Sequence, residues 1–191
     1  TATIRPTMSH EDTLQAVSCG TARVAVEAVP GAGKSWILRH AAARRPSLLL
    51  AYNSQLARDM RETGVPLCLT FHALCGRCLA PARDDAQLED AVARAEAGTL
   101  APHNVPGVEL VLIDEAQDVR SLYVRLLAVL GLLAPSMALL VVGDRNQLVY
   151  DFDVDFPATL DTLLAPERAL SPSPWLRGEL CEPRGLPRAM A

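Results

Sequence analysis

The sequence predicts an α/β domain: a mostly parallel sheet with helices on both faces. Runs rich in apolar and β-branched residues recur along the chain. They are continuous rather than alternating, which suits strands buried on both faces. Stretches of helical character lie between them, and such alternation winds into a parallel sheet through right-handed crossovers. A third feature marks where chemistry lies: a glycine-rich turn, AVPGAGKS (28–35), follows the first apolar run and precedes the first helical stretch.

In chain order, RVAVEA (23–28) is the first expected strand, and the glycine turn delivers the chain into a helix over about 34–43. SLLLAY (47–52) is the second strand and leads into a helix over about 53–63. PLCLT (66–70) is the third, followed by a helix over about 71–79. The segment from about Pro81 to Pro106 breaks the rhythm. It is Ala-rich, charged and flanked by prolines, and is expected to be a helical insertion outside the sheet. VELVLID (108–114) and MALLVVGD (137–144) resume the pattern, with helices expected over about 119–132 and 156–164. Residues 1–168 thus read as one domain. The Pro-rich residues 169–191 read as a linker or the opening of a second unit.

A length of 191 residues suits one domain, with or without appendages. A hydrophobic half and a charged fifth suit a soluble globular core. No apolar run approaches the ~18–20 residues that span a bilayer, and no charged-then-apolar leader opens the chain. The five cysteines are an odd number in a chain too long to need disulfide staples, so free thiols in an intracellular, reducing compartment are expected. Cys75 and Cys78 form a CGRC quartet, but zinc needs a second close pair of ligands, so they read as two thiols on an ordinary helix. The net charge of −4 argues against broad coating of duplex nucleic acid. A narrow groove that works by stacking stays open. The chain begins at Thr1 rather than Met, which suggests a piece of something longer.

Among eighteen lysines and arginines, only Lys34 is a lysine, and it lies in the glycine turn. The turn fits the P-loop pattern GxxxxGK[ST], with Ala28 at the first position and Pro30, Gly31, Ala32 and Gly33 before Lys34 and Ser35. Small residues let backbone N–H groups turn inward around an anion, and the following helix adds its positive end. Lys34 would set a compact ammonium between the β- and γ-phosphates of ATP, and the Ser35 hydroxyl would ligate Mg²⁺. Arginine's planar fork would not serve where a point charge on a thin stem is needed.

VLIDEAQD (111–118) ends a buried run with carboxylates. Asp114 falls at the strand edge where open α/β sheets bind ligands, as a second Mg²⁺ ligand. Glu115 would orient and deprotonate the attacking water. LLVVGDRNQLVYDF (139–152) repeats the geometry, and Gln147 could reach the γ-phosphate. Tyr150 and Phe152 point the same way in an extended stretch, as a base-stacking platform or as two core aromatics.

The P-loop, DEAQD and GDxxQ, in this order, resemble a superfamily 1 DNA helicase of the UvrD/Rep type, closest in flavour to the F-box helicase branch through LLLAYNSQLARDM and TFHALC. The resemblance implies a RecA-like P-loop NTPase motor domain that binds ATP, Mg²⁺ and single-stranded DNA, with 3′ to 5′ polarity and no membrane partner. It places Gln15 at the adenine-reading glutamine, and Asn53, Thr70 and His72 at strand contacts. Gln117 would couple the nucleotide to neighbouring motifs, and Tyr150 and Phe152 become stacking residues. LCEPRGLPRAMA (180–191) is similar to the opening of a later motif, with Arg184 as the arginine approaching the γ-phosphate and Pro183 where an aromatic is usual. The remaining motifs would lie in a C-terminal motor domain beyond residue 191, so these residues alone are expected to hydrolyse ATP slowly and unwind nothing. Three rivals stand beside this reading: a P-loop nucleotide switch without translocation, a non-catalytic nucleic-acid binder, and a small-molecule kinase. The last leaves DEAQD and GDxxQ unexplained.

Overall fold

The computed structural model describes residues 9–18, 20–29, 31–143 and 175–180. Among them, β1 (Arg23–Ala28), β2 (Ser47–Ala51), β3 (Cys68–Thr70), β4 (Leu110–Ile113), β5 (Ala138–Gly143) and β6 (Trp175–Leu180) form one sheet. The order across it is β3-β2-β4-β5-β1-β6, and every neighbouring pair is parallel. The helices are α1 (His10–Ser18), α2 (Lys34–Ala42), α3 (Ser54–Glu62), α4 (Phe71–Cys78), α5 (Asp85–Glu96) and α6 (Ser121–Val129). None is long and apolar enough to cross a membrane. The α/β fold with a parallel sheet is the one the sequence predicts. The helix expected over 156–164 lies outside the described residues.

Continuous apolarity has the physical cause assigned to it. Successive strand residues face opposite sides of a sheet, and here both sides are covered. Leu48 and Leu50 of β2 enter one core with α4, α5 and α6, whereas Leu49 and Ala51 enter the other with α1, α2 and α3. In β4, Val111 and Ile113 divide from Leu110 and Leu112 in the same way. An alternating polar strand could not have filled both.

Side-chain caps start several helices. Asn53 accepts from Leu56 N at 2.8 Å, Thr70 from Ala73 N at 3.1 Å, and Asp84 from Gln87 N at 2.9 Å. Each supplies an oxygen to an N–H that the first helical turn leaves without an intrahelical partner.

Helix α5 is packed into the domain. It is a helix outside the sheet, as expected, but Leu88, Ala91 and Val92 are buried in the same core as Leu48 and Val111. Arg125 of α6 fixes its outer side, donating to Glu89 at 2.6 Å and to Glu96 at 2.6 and 2.9 Å. Leu88 is fully buried, so Leu88→Ala should destabilise the domain by about 2–5 kcal/mol in a urea melt. A loosely attached appendage would lose a few tenths.

Strand β6 falls inside the stretch 169–191, to which the sequence reading gave no strand. It pairs with β1 from Arg23↔Trp175 to Ala28↔Leu180, and buried Leu180 joins the core under α2. Helix α1 likewise adds to the elements the sequence predicts.

Candidate nucleotide-binding site

In a parallel sheet the carboxyl ends of all strands share one edge, where such folds bind ligands. This topology brings to that edge the glycine turn after β1, Asn53 after β2, Thr70 at the end of β3, and Asp114 and Glu115 after β4.

The glycine turn is built from two left-handed residues, Gly31 (φ 79°) and Gly33 (φ 89°). Glycine takes this conformation without the steric cost other residues meet. Between them Ala32 is fully buried, and its N–H donates to Val29 O at 3.0 Å. Gly33 also precedes α2, whose first turn has neither a side-chain cap nor an acidic residue. The positive end of the helix dipole therefore meets no protein anion of its own first turn. Ser35 is exposed in that turn.

Asp114 continues from β4, its N–H donating to Leu50 O at 3.1 Å. Its side chain is 3% exposed. Burial, and then the neighbouring Glu115 charge, push its carboxyl up to about 6, against the opposing pull of the Glu115 N–H bond and Lys34. Glu115 is left-handed (φ 49°, ψ 52°), which costs a non-glycine residue roughly 1–2 kcal/mol. Strain of this kind persists where the surroundings over-determine it. Here Glu115 N donates to Asp114 Oδ1 at 2.9 Å, and Glu115 Oε2 lies 3.3 Å from Lys34 Nζ. The single lysine and the acidic pair, 81 residues apart, thus meet across the end of β5, which separates β1 from β4.

The raised Asp114 pKa has a stability consequence in metal-free protein. A folded pKa of about 6 against 3.8 for the free group means that the native state favours the protonated form. That contribution is complete below pH 3.8 and is lost as pH rises through 6. Asp114→Asn removes the ionisation cost, so in chelator it should gain about 3 kcal/mol at most at pH 7.5. The gain should shrink as pH falls below 6, measured by urea unfolding at pH 7.5 and 4.5.

The Ser35 hydroxyl and the buried Asp114 carboxylate are hard oxygen donors of the kind Mg²⁺ takes, and would hold that ion beside a bound phosphate. Among the described residues no cluster of three or more His, Cys, Asp or Glu could hold a metal by itself.

The other expected residues are placed as follows. Gln15 is exposed on α1. The α1 side chain that touches the glycine turn is His10, whose Nε2–H donates to Ala32 O at 2.8 Å. A carbonyl only accepts, so this contact places the proton on Nε2. Asn53 is exposed and Thr70 partly so, with the side-chain oxygens of both used as caps. His72 Nε2 lies 3.2 Å from Asp85 Oδ1, within a cluster the sequence reading missed. Arg120 grips Asp85 with two bonds of 2.8 and 2.7 Å, holding its carboxyl below the usual range, and donates to the Tyr123 hydroxyl. Tyr123 in turn stacks on Phe71 at 4.2 Å. The cluster ties the start of α4 to α5 and to the segment after Asp118. Cys75 and Cys78 are free and buried in α4, and burial pushes both thiols up. Pro30, Gln147, Tyr150, Phe152 and Arg184 lie outside the described residues, as does the Gln117 side chain.

Among solved structures, unliganded Pif1 from Bacteroides sp is similar over 96% of this chain and 43% of its own, at 15% identity and a TM-score of 0.57. Bacteroides Pif1 helicase in complex with ADP-AlF3 and ssDNA is similar over 71% of this chain and 31% of its own (16% identity, TM-score 0.45). The Pyrococcus furiosus Hef helicase domain is similar over 93% and 39% (14%, 0.49). This chain therefore spans less than half of each. No curated protein matches it significantly. The first likeness shows a fold shared with Pif1 and singles out no UvrD/Rep or F-box branch. The family profile described as AAA domain matches residues 13–153. With the glycine turn, the buried Asp114 and most of its length inside that match, the chain belongs to the AAA domain family of P-loop NTPases.

Proposed function

We propose that this domain is the first motor domain of an ATP-dependent DNA helicase. It couples ATP hydrolysis to movement along single-stranded DNA, 3′ to 5′, together with a second motor domain in the full-length protein. One observation carries the reading: the glycine turn and the acidic pair converge, with Lys34 3.3 Å from Glu115.

The glycine-turn residues Pro30, Gly31, Ala32 and Gly33 and the leading N–H groups of α2 hold the phosphates. Lys34 exchanges Glu115 for the β- and γ-phosphate oxygens. Glu115, so released, orients water and accepts its proton. Ser35 and Asp114 would hold Mg²⁺, which would neutralise phosphate charge. Gln147 senses the γ-phosphate, Arg184 approaches it from the second motor domain, and Gln15 reads adenine. Asn53, Thr70 and His72 line the strand end that meets DNA, through the Asn53 amide and the Thr70 hydroxyl hydrogen rather than the oxygens spent on caps. Tyr150 and Phe152 supply stacking.

A second reading, a nucleotide switch without translocation, is favoured by those two occupied oxygens and the net charge of −4. Fluorescence anisotropy of a labelled single-stranded oligonucleotide, across a salt series with and without Mg²⁺ and a non-hydrolysable ATP analogue, separates the two. The motor should bind DNA in a salt-sensitive way that changes with nucleotide. The switch should bind none.

A further inference from the structure

Helix α1 reaches the glycine turn through His10, whose Nε2–H donates to Ala32 O at 2.8 Å. The imidazole stands on a firm mount. Leu14 and Val17 of the same helix are fully buried in the core that α2 shares. The reciprocal cap between Ser9 and Asp12 closes the turn that carries His10. From α2, Trp36 meets the imidazole edge-on, with centroids 5.4 Å apart and planes at 84°.

The carbonyl that accepts from His10 belongs to the peptide unit joining Ala32 to Gly33. No described peptide bond is cis, and in a planar trans unit the C=O and the next N–H point to opposite sides. With Ala32 O turned toward α1, the Gly33 N–H is aimed away from it. Among the described residues no acceptor takes that N–H. The loop alone does not secure this orientation. Turning the unit over changes mainly ψ of Ala32 and φ of Gly33, and glycine accepts φ of either sign. Gly33, at φ 89°, could flip at little steric cost and present a carbonyl oxygen where an anion should lie. A donor from outside the loop opposes that flip.

We propose that His10 is a positioning residue for phosphate binding: by holding Ala32 O, it keeps the Gly33 N–H turned toward a phosphate oxygen. The inference rests on the nucleotide-binding reading above and deepens it. His10 acts through the peptide unit rather than on the ligand, and what it serves is the phosphate chain. The nucleoside plays no part in its effect.

Calorimetric titrations of the whole chain with ATP and with inorganic tripolyphosphate, each with Mg²⁺, test this. His10→Ala should weaken both ligands by the same factor, about threefold to tenfold, the range spanned by one hydrogen bond of ordinary strength. His10→Gln carries an N–H donor at a similar reach and should restore most of the binding. His10→Phe keeps a ring against Trp36 but no donor, and should restore little. In nitrogen-15 spectra the Gly33 amide should shift downfield with tripolyphosphate in the parent and in His10→Gln, and less in His10→Phe. Circular dichroism melting verifies that each variant is folded. A loss for ATP alone would mean that His10 touches the nucleoside, and would overturn the proposal. So would parent-like binding by His10→Ala, or rescue by His10→Phe, which would leave packing as its only role. A folded parent that binds neither ligand would overturn the nucleotide site itself, and the role of His10 with it.

Discussion

Glu115→Gln should bind ATP more tightly than the parent and hydrolyse it at least about a hundredfold more slowly, the usual range for losing a general base being 10²–10⁴. The two effects come from the same ion pair. Lys34 Nζ lies 3.3 Å from Glu115 Oε2, and the two side chains are only 14% and 27% exposed. ATP must separate them, because the phosphates need the ammonium. Glutamine keeps the length of the side chain but not its charge, so Lys34 is released before the nucleotide arrives. The gain in affinity should be about fivefold, since a pair this far from full exposure is worth about 1 kcal/mol, the upper end of the range for surface pairs. Hydrolysis falls because an amide cannot take the proton from water. Phosphate release at saturating ATP and calorimetry with a non-hydrolysable analogue measure the two effects separately. Hydrolysis at the parent rate would place the base elsewhere.

How much of this was legible in the sequence varies with how local the signal is. The five strands from β1 to β5 were readable because a strand buried on both faces must be apolar throughout, as Leu48, Leu49 and Leu50 are. The glycine turn was readable because its two left-handed residues are glycines. Helix α1 lacks a long apolar stripe, although its start is written in local chemistry. Ser9 N donates to Asp12 Oδ2 at 3.0 Å and Asp12 N to Ser9 Oγ at 3.1 Å, a reciprocal cap. Strand β6 gave no such signal. WLRGEL carries a glycine and two charges, and its strand state depends on the neighbouring β1, a contact across some 150 residues that propensity cannot report.

Within the site, residue types were legible but contacts were not. That Asp114 and Lys34 belong together follows from what phosphate chemistry requires. That Glu115 adopts a left-handed backbone does not, because glutamate has no preference for it. Nor could spacing have chosen His10 over Gln15 as the side chain touching the glycine turn, since both lie on α1 and only its packing decides which faces Ala32. Asn53 and Thr70 show a further limit: the residue types that contact a nucleic-acid strand also cap helices, and here the caps are visible.

Lys34→Ala should abolish nucleotide binding in any practical sense, with affinity falling at least about thirtyfold, as expected when one partner of a desolvated charge pair costs 2 kcal/mol or more. Lys34→Arg sharpens the test. It keeps the charge but replaces a compact ammonium by a planar fork that must fit beside Gly31 and Gly33. Arginine should therefore restore little of the binding while restoring the ion pair with Glu115, which urea melts of the three proteins would register. The substitutions at Lys34 and Glu115 should also be non-additive. Lys34→Ala strands a half-buried carboxylate, and adding Glu115→Gln relieves it, so the double variant should be more stable than Lys34→Ala alone while still binding no nucleotide. Binding of ATP by Lys34→Arg at the parent affinity would show that the loop asks only for charge. The single lysine among seventeen arginines would then have no physical reason to stand where it does.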